Sequence, residues 1–322
     1  MSSKVVITVC GDLAPENLGA VLAHEHLICD FTLTGGKPED RISDWEAIPA
    51  ELEIFRQAGG GAIFELTPFG LGDAPQALKR ISAHSQVPIV RGISFYVEET
   101  YPKWVWSATA EVIADFLVKH IEEGESGVRA GLIGEVTSHN EVLPDAGGYR
   151  LHDCEAKVFC GAAQAQRRTG VAVTTHAALG RGGHAQLDTL ERAGADLSRV
   201  VIGHCDAHAH AEEERDMEYY LPILDRGAYV EFDLIGWNHQ WPGGMTDELR
   251  AHRVASLIRQ GYTRQLLLST DTCRLSQLQC RGGRGFSYLW THFLPLLHAQ
   301  GVSGNDIRTM LVENPRRVAT LV

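Results

Sequence analysis

The sequence predicts a (β/α)8 TIM barrel, an α/β fold in which eight parallel strands alternate with helices. Eight short apolar runs are separated by amphipathic segments along the 322 residues, and eight such units in about 250–300 residues is the number that closes a barrel. Residues of metal-ligand type also stand at or just after the ends of five runs. A doubly wound open sheet shows the same alternation, but only a closed barrel brings five strand ends to one point.

The predicted strands are nearly continuous in apolar residues, which is typical of strands buried on both faces of a parallel sheet. Several begin after a glycine or proline that would end the preceding helix, as at Pro88, Gly170 and Gly227. We assign the eight strands to residues 20–26, 61–67, 87–95, 130–137, 171–176, 199–204, 228–234 and 265–271.

The segments between the strands carry apolar residues at helical spacing, as in the series Ile113, Phe116, Leu117 and Ile121. These segments are predicted to be amphipathic helices that pack against the strands. A short β-hairpin around Val5–Leu13 is expected before the first barrel strand. No linker, low-complexity stretch or internal repeat divides the chain, so we expect residues 1–322 to form a single domain.

Composition and charge exclude several classes of protein. The hydrophobic fraction of 44% and the charged fraction of 22% are typical of a globular protein, and no segment approaches the roughly 20 apolar residues that span a bilayer. A net charge of −12 argues against a nucleic-acid partner. The first residues lack a signal peptide's apolar stretch, and the seven cysteines contain no Cys-x-x-Cys pair. We therefore expect a cytoplasmic protein with free thiols and a small-molecule substrate, without a membrane partner.

Six residues together predict a metal centre. His24 and His26 alternate along the first strand, so their side chains point to the same side while Glu25 points away. This pair alone is weak evidence, because the chain has 15 histidines. The other donors each stand at or just after the end of a separate apolar run, and they are Glu135, His176, His204 and Asp271.

Four histidines and two carboxylates are too many donors for one tetrahedral zinc ion, which takes four ligands. The set fits two divalent ions, one held by His24, His26 and Asp271 and the other by His176 and His204, with Glu135 bridging them. We expect zinc, with manganese or cobalt as alternatives. Such a pair polarises a substrate oxygen and lowers the pKa of a bridging water towards neutrality, and Asp271 can accept the proton of the attacking hydroxide.

Other polar residues near the strand ends leave alternatives open. His208 and His210 compete with His204 for the ligand role, but they lie beyond the apolar run, where a solvated loop histidine is expected. His139, shortly after the fourth strand, is also expected in a loop. Asp206 follows His204 at period two, so it could either orient a ligating imidazole or face solvent.

Arginines and tryptophans near the same end of the barrel are candidate substrate contacts. Arg274 lies three residues beyond the last metal ligand, and Arg281 and Arg284 lie in the glycine-rich loop that follows. Arginine pairs bidentately with carboxylate or phosphate, so this edge is predicted to hold an anionic group remote from the scissile bond. The alternative for each is a solvated loop arginine. Tryptophans after the third and seventh strands could line an apolar pocket or cover the barrel rim, and they are Trp104, Trp106, Trp237 and Trp241.

The motifs, in this order, resemble those of phosphotriesterase-related proteins in the amidohydrolase superfamily. The resemblance covers nearly the whole chain and implies a distorted eight-stranded barrel, a binuclear zinc-type centre and, often, a homodimer. It also implies hydrolysis of phosphoesters, carboxyl esters or lactones. The matching segments are Thr8-Val9-Cys10-Gly11, Leu18-Gly19, His24-Glu25-His26, Gly134-Glu135-Val136, Thr175-His176, Ile202-Gly203-His204, Leu268-Ser269-Thr270-Asp271 and Glu313-Asn314-Pro315-Arg316-Arg317.

The chain departs from the best-known organophosphate hydrolases of this family at two positions. Those enzymes bridge their metals with a carboxylated lysine, whereas Glu135 stands here, as in a second branch of the family. They also have a histidine after the seventh-strand aspartate, whereas Asp233 is followed here by Leu234. The resemblance therefore implies that any organophosphate activity is slow. It also implies that Tyr96 points at the metal centre, as a tyrosine does in lactonase-type members, and orients the substrate or the leaving oxygen.

Members of the Glu-bridged branch that resemble this chain hydrolyse phosphorylated sugar lactones, and an arginine shortly after the eighth-strand aspartate binds the phosphate. Arg274 matches that placement, while Gln277 stands where a tyrosine is expected nearby. We therefore expect a hydrolase that opens a lactone or cleaves an ester, with phosphorylated sugar lactones as the first compounds to test. A phosphoesterase acting on an organic phosphate and a non-enzymatic barrel binding protein are the alternatives.

Overall fold

The computed structural model describes residues 4–139, 141–142, 149–177, 182–210, 212–238 and 243–321. The chain begins with an antiparallel hairpin of Val6–Thr8 and Gly11–Leu13, which confirms the predicted hairpin. A second two-stranded pair, Glu141–Val142 with Tyr149–Arg150, lies between the fourth and fifth barrel strands.

Eight parallel strands form the barrel, and each one falls within a strand predicted from the sequence or extends it by one residue. Their order in the sheet follows their order in the chain. They are β1 (Val21–Glu25), β2 (Ala62–Glu65), β3 (Ile89–Ile93), β4 (Leu132–Ser138), β5 (Val173–Ala177), β6 (Val200–Ile202), β7 (Tyr229–Phe232) and β8 (Leu266–Leu268).

Hydrogen bonds beyond the end of β8 join it to β1. The Ser269 hydroxyl donates to the main-chain carbonyl of His24 (2.9 Å), and the Asp271 amide donates to the same carbonyl (3.2 Å). Glu25, which points away from the barrel axis as predicted, accepts hydrogen bonds from the Thr270 amide and hydroxyl (2.8 and 2.6 Å). These bonds close the predicted barrel and bring the ends of its first and last strands together.

Apolar side chains lie on both faces of the strands, as the continuous runs predicted. One cluster contains alternate strand residues such as Phe64, Val90 and Leu267, and it fills the barrel interior. The other contains the intervening residues, such as Ile63 and Ile89, together with apolar residues of the helices. A buried layer on each face leaves polar side chains for the strand ends, which is where the candidate site lies.

The α-helices surround the sheet. They span Ile48–Gln57, Pro75–Ser85, Lys103–Ser107, Ala110–Glu122, Asp153–Thr169, Gly183–Arg192, Glu213–Asp225, Asp247–Arg259, Leu294–Ala299, Gly304–Arg308 and Asn314–Ala319. Among the described residues, no helix combines the length and apolar character needed to cross a membrane. All seven cysteines are free thiols, as predicted.

Candidate metal centre

The six predicted donors converge at the carboxyl ends of five strands. Glu135 lies at the centre of the group, because its Oε2 is 3.0 Å from His24 Nε2 and 3.2 Å from His176 Nδ1. His204 Nε2 lies 2.6 Å from His176 Nδ1, and Asp271 Oδ1 lies 3.2 Å from His26 Nε2.

The donors fall into two overlapping groups whose ligand atoms are close enough to hold a cation. His24, His26 and Glu135 form one group, and Glu135, His176 and His204 form the other. Glu135 is common to both, which is the position that the sequence assigned to a bridging carboxylate. Asp271 joins the first group through His26.

Glycines before two of the donors allow neighbouring strands to approach closely. A Cβ at Gly134, before Glu135, would come within 2.3 Å of Thr174 Cγ2, and one at Gly203, before His204, within 2.1 Å of the Thr175 carbonyl oxygen. Asp271 and His204 themselves have φ of 44° and 54°. Such left-handed backbone is uncommon for residues with a side chain and concentrates at functional sites.

Carboxylates at the end of β7 hold two of the histidines, and our sequence analysis did not predict this role. Asp233 Oδ1 lies 2.8 Å from His204 Nδ1, while Asp233 Oδ2 and Glu231 Oε2 lie 3.2 and 3.3 Å from His24 Nδ1. Both carboxylates are fully buried. The signal was present in the sequence, because Glu231 and Asp233 alternate with apolar residues along β7 and therefore point to one side.

A hydroxyl holds the third histidine of the group. The Thr67 hydroxyl lies 3.0 Å from His26 Nδ1 and donates to Glu65 Oε1 (2.6 Å). Metal-ligating histidines commonly use their second ring nitrogen in this way, which fixes the orientation of the ring. Thr67 stands two residues after Glu65, just beyond the end of β2. This spacing is the same kind of sequence signal as that of Glu231 and Asp233.

The buried carboxylates shift the pKa values of their neighbours. Burial disfavours the charged imidazolium of His204, but the charge and hydrogen bond of Asp233 outweigh it and raise the pKa of His204 to about 9. Burial alone would raise the pKa of Glu135, but His176 and His24 lower it well below its usual range. Burial lowers the pKa of His176. The centre thus presents an ionised Glu135 and a neutral His176, and its carboxylates favour positive charge beside them.

Neither alternative for Asp206 is correct. Its side chain is fully buried, so it does not face solvent, and its hydrogen bonds with the described residues come from an arginine and from backbone amides rather than from an imidazole. It accepts a hydrogen bond from Arg250 Nε (2.5 Å) and another from the Asp233 amide (3.2 Å). Asp206 therefore fixes the backbone of Asp233, because a buried carboxylate is stable only when its oxygens are satisfied.

His210 and His139 pair with carboxylates outside the group around Glu135. His210 lies in the loop after β6, as predicted, and its Nδ1 is 2.7 Å from Asp216 Oδ1. His139 Nδ1 is 2.9 Å from Glu155 Oε1, and its ring stacks on that of His152. His139 belongs to this separate group rather than to the ligands around Glu135.

Tyr96 lies beside the centre, as the resemblance implied. Its ring packs edge-on against His176, with centroids 5.3 Å apart, and against Phe31 at 6.1 Å. Burial, together with the negative charge of Glu135, raises the pKa of Tyr96 well above its usual value. The phenol therefore keeps its proton at neutral pH and can donate a hydrogen bond beside the donors.

Two of the three predicted arginines come together on one tryptophan ring near the centre. The guanidinium carbons of Arg274 and Arg284 lie 5.7 and 5.2 Å from the centroid of the Trp237 ring. Arg284 donates to the Thr270 carbonyl (2.6 Å), next to the Asp271 ligand position, and its Nε is buried without a hydrogen-bond acceptor among the described residues. Cation–π contact with one ring holds both positive charges beside the candidate metal ligands.

The remaining predicted contacts are arranged differently. Arg281 is exposed and is not part of the Trp237 cluster. Gln277 Oε1 accepts hydrogen bonds from the Cys273 and Arg274 amides, both at 2.9 Å, so it stabilises the turn that carries Arg274. Trp104 and Trp106 lie in the helix after β3, 36% and 50% exposed. Trp241 lies outside the described residues.

Comparison with known proteins agrees with this geometry. The sequence profile of the phosphotriesterase family matches residues 4–319. The chain belongs to the phosphotriesterase family. It is therefore a hydrolase built on a TIM barrel, and its strand-end donors are candidate metal ligands.

Three relatives place it within the family. The phosphotriesterase homology protein of Escherichia coli (strain K12) is 33% identical over 300 residues, which cover 92% of this chain and 96% of that protein. Its crystal structure, complexed with phosphate in the active site, has a TM-score of 0.85 and covers 94% of this chain and 99% of its own.

An N-acetyltaurine hydrolase of Dictyostelium discoideum is 31% identical over 293 residues, which cover 88% of this chain and 75% of that protein. A mutant of a phosphotriesterase-like lactonase from Deinococcus radiodurans is 28% identical, with a TM-score of 0.81, and covers 97% of this chain and 99% of its own. These family members have names that refer to different substrates.

Proposed function

We propose that this protein is a binuclear metal-dependent hydrolase that opens a lactone or cleaves an ester in a small substrate carrying an anionic group. The observation that carries the proposal is the position of Glu135, which belongs to two groups of donors at once. The nearby pair of arginines on Trp237 supports the anionic character of the substrate.

The residues present fit a pair of divalent ions. His24, His26 and Asp271 would hold one ion, His176 and His204 the other, and Glu135 both. The donors are imidazole nitrogens and carboxylate oxygens, the atoms that zinc prefers, with manganese and cobalt as alternatives. Glu135 is 1% exposed and Asp271 8%, and buried carboxylates of this kind require a cation beside them.

When bound, the two ions would polarise the substrate carbonyl and lower the pKa of the attacking water. Asp271 would accept the proton of that water on its carboxylate and pass it to the leaving oxygen. Tyr96, whose phenol stays protonated, would donate a hydrogen bond to the carbonyl or leaving oxygen. Asp233 would keep His204 in the tautomer whose Nε2 faces the centre, because its carboxylate holds Nδ1.

Arg274 and Arg284 would hold the anionic group of the substrate. Arg284 donates to a neutral carbonyl, that of Thr270, so no carboxylate among the described residues neutralises its charge. A guanidinium pairs with carboxylate, phosphate or sulfonate oxygens, so the arginines select a charge rather than one acid. A sugar lactone bearing a phosphate has both features, and it is the first substrate to test.

A second candidate is hydrolysis of the amide bond in an N-acylated amino sulfonate. The support for it is the Dictyostelium relative, named for N-acetyltaurine and 31% identical, because the same arginines would suit a sulfonate. Phosphotriester hydrolysis has less support. The Asp233 carboxylate contacts His204 and His24, and it is followed by Leu234 rather than by a histidine that could carry a proton away.

Metal analysis tests the centre independently of the substrate. Purified protein supplied with zinc or manganese should contain about two divalent ions per chain, and chelation should abolish hydrolysis until metal is restored. One ion or none after supplementation would contradict the binuclear assignment.

Rates on a matched set of compounds test the substrate class. The set contains a phosphorylated sugar lactone, the same lactone without phosphate, N-acetyltaurine, a neutral chromogenic ester and a phosphotriester. We expect the phosphorylated lactone to have the highest kcat/KM and its neutral counterpart a higher KM. N-acetyltaurine as the best substrate would select the second candidate, and the phosphotriester as the best would overturn both.

A further inference from the structure

A cavity at the opposite end of the barrel has no role in the proposed hydrolysis. Its volume is about 790 Å³, which is in the range of small-molecule sites. Arg199 and Gln265 line it immediately before β6 and β8, and Tyr229 lines it at the first position of β7. It therefore lies at the amino ends of these strands, whereas the candidate metal centre lies at the carboxyl ends.

Arginines surround this cavity in a protein of net charge −12. Arg199, Arg264, Arg316 and Arg317 line it together with Lys4, and the one carboxylate in the lining is Asp196. Asp196 Oδ1 accepts hydrogen bonds from the Ser198 amide and hydroxyl (3.0 and 2.7 Å). Positive charge is thus concentrated around this cavity, although the protein as a whole is acidic.

Structural roles account for part of the arginine cluster, and Arg316 forms an ion pair with Glu313. Arg199 donates to the carbonyls of Val318 and Thr320 (3.1 and 3.0 Å), and Arg317 donates to the carbonyl of Arg264 (2.6 Å). These bonds fasten the C-terminal helix to the barrel, but the acceptors are neutral carbonyls. The charges of Arg199 and Arg317 are therefore not balanced by a carboxylate in contact with them.

Two observations at the same cavity have no structural explanation. Arg199 Nε is buried and has no acceptor among the described residues, although buried donors are normally satisfied. The Arg264 guanidinium makes no hydrogen bond or ion pair with the part of the chain that the structure describes, and it lies at the cavity wall. Arg264 is exposed, so its charge is available to a ligand in the cavity.

We propose that this cavity binds a small phosphorylated anion. A phosphomonoester dianion offers oxygens to several guanidinium groups at once, and it would pair with Arg264 and lie beside the charges of Arg199 and Arg317. A sugar phosphate and a nucleoside monophosphate share this chemistry, and both are small enough for the cavity. The site is separate from the anion-binding role of Arg274 and Arg284, which lie at the other end of the barrel.

Calorimetric titration of the metal-loaded protein with ribose 5-phosphate and with AMP tests the proposal. Arg264→Glu removes a cavity charge without removing any hydrogen bond of the described structure, and we expect it to weaken binding at least about tenfold. Arg168→Glu is the matched control, because Arg168 is also a surface arginine but pairs with Asp115 away from the cavity; it should bind as the wild type does. Thermal melting of each variant checks that the fold is intact.

The outcomes separate the two ends of the barrel and the two ligand sources. Similar affinities for both phosphates would show that the phosphate alone is recognised, and tighter binding of AMP would show that the base also fits. Arg274→Ala should leave the Arg264-dependent binding in place. Absence of binding, or binding that survives Arg264→Glu but is lost in Arg274→Ala, would overturn the proposal, and neither result would bear on the metal centre.

Discussion

The two ends of the barrel hold their charged side chains in different ways. At the carboxyl end, carboxylates such as Glu135 and Asp233 are buried and contact histidines directly. At the amino end, Arg199 and Arg317 are partly exposed and contact main-chain carbonyls. Charge interactions strengthen with burial. A single substitution should therefore have a large effect at the carboxyl end and a smaller effect near the partly exposed arginines of the amino end.

Replacing Glu135, the carboxylate shared by both groups of donors, should have the largest effect at the carboxyl end of the barrel. Glu135→Ala removes the one donor common to both groups of ligands, so we expect loss of the metal pair and a decrease in kcat/KM of at least about a thousandfold. Elemental analysis and steady-state kinetics measure the two effects. A fully active variant with its full metal content would refute the bridging assignment.

Glu135→Lys is the informative companion. A carboxylated lysine offers two oxygens at greater reach, so bicarbonate should restore part of the activity of this variant. The wild type should be insensitive to bicarbonate, because glutamate is already anionic. Bicarbonate dependence of the wild type would point to a different bridging group.

Removing the charge that orients two histidines should have the next largest effect. Asp233→Asn keeps the shape of the side chain but loses the carboxylate between His24 and His204. We expect metal affinity or activity to decrease about 10- to 100-fold. Asp188→Asn is the matched control, because Asp188 pairs with Arg226 on the surface, and it should change little. Equal effects of both changes would remove the positioning role from Asp233.

The substrate-facing arginine should have an effect that depends on the charge of the substrate. Arg274→Ala should raise KM for an anionic substrate about tenfold, the contribution of one charge-assisted hydrogen bond, and leave a neutral ester nearly unaffected. Arg80→Ala serves as the control, since Arg80 also lies over a tryptophan ring, that of Trp45, at 5.6 Å. Equal losses on the anionic and neutral substrates would assign Arg274 to the fold or the metal centre instead.

The smallest expected effect is a pH dependence of stability in metal-free protein. The pKa of His204 is raised from its ordinary value near 6.5 to about 9 by Asp233, against the opposing effect of burial. The pair therefore contributes its full stability below pH 6.5, and this contribution is lost as the pH rises through about 9. The melting temperature should fall by a few degrees across that interval, measured by thermal unfolding after chelation. His204→Gln should flatten this part of the profile; an unchanged profile would contradict the pairing.

Much of the fold follows from local pattern. The apolar runs around Val200-Val201-Ile202 and Leu266-Leu267-Leu268 are strands because residues buried on both faces must be apolar at every position. The six donors were predictable for a related reason. A polar side chain directly after such a run lies at the strand end, and parallel strands present all their carboxyl ends on one side.

The sequence did not determine which polar groups contact one another across strands. The sequence placed Asp206 correctly at a strand end. Its carboxylate accepts a hydrogen bond from Arg250, which is 44 residues away in the chain. The same applies to Arg274 and Arg284, whose proximity depends on Trp237. The contacts of a buried charge depend on the nearest partner in space, and spacing along one strand carries no information about that partner.

By itself, the sequence therefore determined the number and order of the strands and the end of the barrel at which the six candidate donors lie. Burial on two faces and the alternation of side chains act within a few residues, so both can be derived from the chain. The tertiary structure alone decided that Asp233 holds His24 and His204, that Asp206 pairs with Arg250, and that arginines surround a cavity at the far end. These arrangements depend on charges meeting across the closed barrel, where low polarity makes every unpaired group costly.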